Sequence, residues 1–213
     1  MPRVNIIEPA RTGERRFEKY GPTVPLPAVV LNYLVPPIAS KDAPALRIAQ
    51  GILSNGESSR LYRNLVYERQ LAQEVFAEAD LREDAGLFLL GAILASGKHS
   101  SAIERALIDQ IRALREHPVG EEELEKVKSQ ILTQELRDRQ TSSGKAFALG
   151  QAAILLGGPE QANSAIDDLR RVSAAEVQQV ITHYCSEDNK VILVYLPESM
   201  KRRGRRGAVR RTK

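Results

Sequence analysis

Three histidines, His99, His117 and His183, and one cysteine, Cys185, are the side chains of this chain best suited to binding a transition metal. A hydrolytic zinc site of the H-x-x-E-H type needs two imidazoles one helical turn apart, with a glutamate between them as base and a third protein ligand further on. No histidine here has a second one four residues away. His117 precedes Pro118, a helix stop, and His183 and Cys185 stand two residues apart, which on a helix points them to different faces. Cys185 has no base beside it in sequence and reads as a small buried residue. Glu121, Glu122, Glu123 and Glu125 suit a helix N-terminus, where negative charge meets the helix dipole. The run from Asp138 to Lys145 gathers hydroxyls and charges but lacks the G-x-x-x-x-G-K-[ST] pattern of a phosphate loop. There Ser142 and Ser143 are expected as helix caps.

More information lies in Gly56–Ala72, GESSRLYRNLVYERQLA. Asn55 and Gly56 are turn residues, Ser58 or Ser59 can cap a helix, and Leu61, Leu65 and Val66 recur at helical spacing. From Gln73 the period becomes two. Val75, Ala77, Ala79 and Leu81 share one face of a strand, with polar residues mostly on the other. Arg60 and Tyr62 on the helix and Gln73 at the strand entry are the candidate substrate-binding residues. Each also has a structural reading: Arg60 as a local ion-pair partner, Tyr62 as packing against the sheet, Gln73 as a polar strand end. A peptide added to the sheet edge near Gln73 would bind through its backbone, with the Gln73 amide assisting.

The run resembles a signature of the insulinase/pitrilysin-type zinc peptidases, the group that includes mitochondrial processing peptidase. The matching positions are Gly56, Ser58, Ser59, Arg60, Leu61, Tyr62, Leu65, Val66, Glu68, Leu71 and Ala72. A looser likeness extends over residues 15–198. The resemblance implies the C-terminal domain of such a peptidase, the half that lacks H-x-x-E-H. It implies no metal in this chain and zinc in a partner domain of the same or a second chain, the two halves packing around a chamber that takes an extended peptide. Many such domains supply an Arg and a Tyr seven residues apart to hold the substrate backbone. Here those positions are Val66 and Gln73, which remove the guanidinium and the phenol. The alternatives are therefore a scaffold or assembly subunit that kept the fold without the chemistry, or an anion-binding module acting through the basic tail.

The elements that must position these residues follow from periodicity and punctuation. Strands are expected at 17–20 and 28–35, separated by Gly21, Pro22, Pro25 and Pro27 and closed by Pro36 and Pro37. A helix from about Asp42 carries Pro44 in its first turn and turns Leu46, Ala49, Ile52 and Leu53 inward. Beyond the signature come a hairpin of 72–82 with 86–96, the second strand almost wholly apolar, and a helix capped by Ser101 and Glu104. A third helix from Glu121 buries Leu124, Val127, Ile131 and Leu136, with Glu122–Lys126 and Glu135–Arg139 as outer pairs. After a break at 141–144 come further helices, one opened by the Ser173…Glu176 capping box. A last buried strand spans 190–196. Runs of strands and runs of helices argue α+β: a largely antiparallel sheet with helices on one face.

The 213 residues suit one such domain at 15–198, with an extension at 1–14 and a basic, disordered tail at 199–213. Residues 201–213 hold eight Lys or Arg and no acid, which leaves 23 basic against 27 acidic residues in the body, so the net charge of +4 belongs to the tail. No recognition motif flanks it, and a nucleic-acid partner is not expected. No apolar run is long enough for a membrane span, and no signal peptide is visible, so a soluble protein of bacterial periplasm or cytoplasm is expected.

Overall fold

The computed structural model describes residues 9–201. Residues 1–8 of the expected N-terminal extension and 202–213 of the basic tail lie outside the described residues. Five strands, β1 (Arg15–Gly21), β2 (Ala28–Val35), β3 (Ala72–Asp80), β4 (Gly86–Leu94) and β5 (Lys190–Pro197), form one sheet in the order β1-β5-β2-β4-β3. The β2–β4, β2–β5 and β3–β4 pairings are antiparallel and β1–β5 is parallel. The α+β architecture expected from the element order is thus found. The last strand enters between the first two, so β1 and β2, neighbours in sequence, never touch as a pair. Chain-terminal insertion of this kind leaves no trace in local periodicity.

Six α-helices follow: α1 (Ala43–Ser54), α2 (Ser100–Glu116), α3 (Glu121–Asp138), α4 (Ser142–Leu155), α5 (Gln161–Arg171) and α6 (Ala174–Tyr184). They cover one face of the sheet, where Val29, Leu31, Tyr33, Phe88, Leu90, Ile192 and Val194 are buried with Leu46, Ile52, Leu107 and Ile181. The other face carries Phe17, Leu193 and Tyr195, respectively 48, 37 and 39% exposed. So β5 lies inside the sheet yet is buried on one face only, a correction to the wholly buried strand expected from its composition.

Local corrections have local causes. The α2 helix begins at Ser100 with His99 before it and no side-chain cap, because Glu104 forms a two-pronged ion pair with Arg16 at 2.8 and 2.7 Å. Leu136 is half exposed. Lys126 bonds Ser58 at 3.0 Å, while Glu135 accepts from Arg47 and lies 3.6 Å from Arg139. At the α3–α4 break the cap is Thr141, not Ser142 or Ser143: its hydroxyl accepts from the Gly144 amide at 3.0 Å. A Cβ at 144 would collide with the Asp138 carbonyl, so only glycine fits there. The Ser173–Glu176 capping box on α6 forms as read. Before β1, Arg11 is tied down, donating to the Asn32 and Asn189 carbonyls at 3.2 and 3.0 Å.

Candidate functional site

The signature begins where α1 ends. The Asn55 amide closes α1 on the Gly51 carbonyl at 2.9 Å, and Gly56 turns the chain with φ of 79°. The next helix is not the expected α-helix. After a single turn it widens into a π-helix, Tyr62–Glu68, whose end bonds Arg69 N–H to Asn64 C=O, five residues back, at 3.1 Å. Leu71 N–H then reaches the Leu65 carbonyl at 2.8 Å, and Gln70 takes the left-handed conformation, φ 47°. The extra residue per turn buries Leu61 and Leu65 and packs Val66 against the core, while Tyr67 is turned out to 76% exposure. Neither serine caps this helix by its side chain. Ser58 accepts from Lys126, and the buried Ser59 hydroxyl has no partner among the described residues, nor does the Asn64 side-chain oxygen Oδ1.

Arg60 is half-buried and locked: its Nε and Nη2 donate to the two oxygens of Glu123 on α3 at 2.9 and 2.6 Å. Tyr62 is half-buried at the start of the π-helix. Gln73 is exposed and has no register partner: pairing steps from Ala72–Leu94 to Glu74–Ile93, so Gln73 is the extra residue of a β-bulge. The π-helix, the left-handed Gln70 and the bulge thus fall within twelve residues of chain, Tyr62–Gln73. Such irregularities re-aim side chains, and here they set Tyr67 and Gln73 at the solvent surface while Arg60 is engaged elsewhere. Tyr67 was not singled out by helical spacing, since the widened turn that exposes it has no sequence period.

The β3 edge beside this site is covered at Ala77 and Ala79. Ser54 of α1 donates to the Ala77 carbonyl at 3.1 Å, and the Ala79 amide donates to Gln50 Oε1 at 3.0 Å. Addition of a peptide strand along β3 would have to displace both bonds beyond the bulge. Two clefts lie elsewhere: one of about 780 Å³ between α1 and α3, and a groove of about 1310 Å³ between α4 and the α1–α5–α6 layer. Neither is lined by Arg60, Tyr62 or Gln73.

The groups that could ligate a metal are dispersed. His99 precedes α2, His117 follows it, and His183 stands edge-on to Tyr184 with ring centroids 4.5 Å apart. Cys185 is buried, and desolvation pushes its thiol well above its ordinary value. Among the described residues no three His, Cys, Asp or Glu come together as a metal site. Desolvation, followed by the hydrogen bond to Asp42 at 2.7 Å, raises the Tyr184 phenol to about 12. No helix among the described residues is long and apolar enough to cross a membrane.

Residues 2–131 match the peptidase M16 inactive domain, and the chain belongs to that family. It is 28% identical over 128 residues to the zinc protease PqqE of Helicobacter pylori (strain ATCC 700392 / 26695), covering 60% of this chain and 29% of that protein. The fold superimposes on the crystal structure of a protease from Helicobacter pylori with a TM-score of 0.86 at 21% identity, covering 92% of this chain and 47% of the other. An inactive peptidase domain from Bordetella parapertussis gives a TM-score of 0.72 at 26% identity, over 90% of this chain and 96% of that one. The chain therefore spans under a third of the curated relative and about half of the Helicobacter structure.

Proposed function

We propose that this chain is the zinc-free half of an M16-type metallopeptidase and forms the wall of a peptide-binding chamber opposite a zinc-bearing H-x-x-E-H domain, in the same polypeptide or a second one. The observation that carries this reading is family membership combined with coverage: nearly the whole described fold corresponds to about half of the Helicobacter protease chain. The uncovered sheet face supports it. Phe17, Leu193 and Tyr195 are the kind of exposed apolar surface that a second domain covers. Zinc held by the partner half would activate water for peptide hydrolysis. The role assigned to this chain is to orient an extended peptide, with Tyr67 and Gln73 as contact residues, Tyr62 supporting them, and Arg60 fixing the signature helix on α3.

The test is reconstitution. Mixed with its zinc-bearing counterpart, the chain should raise turnover of a fluorogenic peptide by about tenfold or more, as expected when substrate positioning is supplied. Chelator-sensitive hydrolysis by the chain alone would contradict the proposal. A scaffold role is the second reading, favoured by Val66, which packs against the core where an arginine would be needed, and by Gln73, which has no phenol. It predicts unchanged turnover on mixing.

A further inference from the structure

The two edges of the sheet are treated differently, and the difference marks an interaction surface. At β3 the outward Ala77 carbonyl and Ala79 amide are taken by Ser54 and Gln50. Ladder alternation carries this parity across the sheet: Ala77 and Ala79 face out, so even-numbered β3 residues bond β4. Counting through the registers of β4, β2 and β5 then leaves the outward amides and carbonyls of β1 on Arg16, Glu18 and Tyr20. Two side-chain contacts fit the same parity, since Asn189 takes both the amide and the carbonyl of Leu34 where β5 begins. The backbone groups of Arg16 and Glu18 have no partner along this edge among the described residues. A strand edge open at Arg16 and Glu18 is a template for another strand.

We propose that β1 is a docking edge for an extended polypeptide segment whose successive open-face positions run acidic, apolar, acidic. The side chains of β1 specify this occupant. Arg15, Phe17 and Lys19 share the open face, all three are exposed, and neither cation has an ion-pair partner among the described residues. Phe17 is flanked on β5 by Leu193 and Tyr195. On the helix side, Arg16 is neutralised by Glu104, and the Glu18 carboxylate, which accepts from the Tyr20 hydroxyl, keeps its charge on the face away from Arg15, Phe17 and Lys19. Lys201, with its ammonium 6.0 Å from the Tyr20 ring centre, adds a further cation near the strand's end.

The same charges disfavour the other occupants. The chain's own basic tail would meet like charge. A second copy paired antiparallel about Phe17 sets Arg15 against Lys19 on the open face, leaving only Arg16, already held by Glu104, opposite Glu18; about Glu18 it sets glutamate on glutamate. The segment preceding β1 leads inward, because Arg11 is held at Asn32 of β2, two strands from this edge. The assignment does not rest on the peptidase-half reading: the edge would bind its strand with no zinc-bearing partner present.

Calorimetry on the full chain alone tests it. The probe is an acetylated, amidated nonapeptide of threonines with glutamate at its third and seventh positions and valine at its fifth; the control replaces both glutamates by lysine. The glutamate peptide should bind about tenfold or more tightly than the control, and less tightly as salt rises. Glu18→Pro removes an outward N–H that β1 does not use within the sheet, and should cost about tenfold in binding with the melting temperature held. Arg15→Glu with Lys19→Glu should reverse the preference between the peptides, and decides the matter if the proline variant does not fold. Equal binding of both peptides, no binding of either, or an unchanged preference in the charge-reversed variant would overturn the assignment. So would a dimer in sedimentation that Glu18→Pro abolishes.

Discussion

The hydroxyl of Ser54, the last residue of α1, donates to the backbone carbonyl of Ala77 at 3.1 Å and so caps an edge group that the sheet leaves open. With Gln50 one turn earlier bonding the Ala79 amide, a single helix face covers the β3 edge at Ala77 and Ala79. Removing both side chains, as Ser54→Ala with Gln50→Ala, should expose that edge. The expected outcome is a loss of about 1–2 kcal/mol in urea unfolding and concentration-dependent association by light scattering. A double variant that remains monomeric at full stability would mean that the edge needs no cover.

Arg60 and Glu123 join the signature helix to α3 through two parallel hydrogen bonds, with both side chains about three-quarters buried. A double-mutant cycle with Arg60→Ala and Glu123→Ala should give a coupling of about 1 kcal/mol, between the values for exposed and buried pairs. Arg60→Lys should not restore it, because an ammonium cannot present the two-pronged geometry.

The Glu176 carboxylate is held below its ordinary range, first by the Ser173 backbone N–H at 2.7 Å and then by the Ser173 hydroxyl at 2.8 Å. A carboxylate lowered in the folded state contributes stability that is present above its unfolded value and lost as pH falls through the folded one. Glu176→Gln should therefore flatten the acid limb of the stability curve and change least once pH has fallen below the folded value. Ser173→Ala, which removes the cap itself, should cost about 1 kcal/mol at neutral pH.

Two helical glycines should respond in opposite directions. A Cβ at Gly51 would lie 2.5 Å from Val127 Cγ1 and 3.2 Å from Ile131 Cδ1, so Gly51→Ala should destabilise by about 1–3 kcal/mol through overpacking of α1 on α3. Gly150 on α4 has nothing within 4 Å of the same position. Gly150→Ala should gain about 0.5–1 kcal/mol from helix propensity. Thermal melts of the two variants check both signs.

What the amino-acid sequence determined here is what depends on near neighbours. The period-two runs, the proline stops, the Ser173–Glu176 capping box and the inward face of α1 are set within a few residues, and the chain forms them as read. The signature at 56–72 and the missing H-x-x-E-H were legible for the same reason. Tertiary structure decided the rest. Only the assembled sheet puts β5 between β1 and β2, turns Leu193 and Tyr195 outward, draws Glu104 from its expected cap to Arg16, and holds Arg60 against Glu123. The widened π-turn that sends Val66 inward and Tyr67 outward, and the unequal closure of the two sheet edges, depend on contacts between residues far apart in the chain. Helical and strand periods carry no record of such contacts, because they are settled by which surfaces meet once the core has closed.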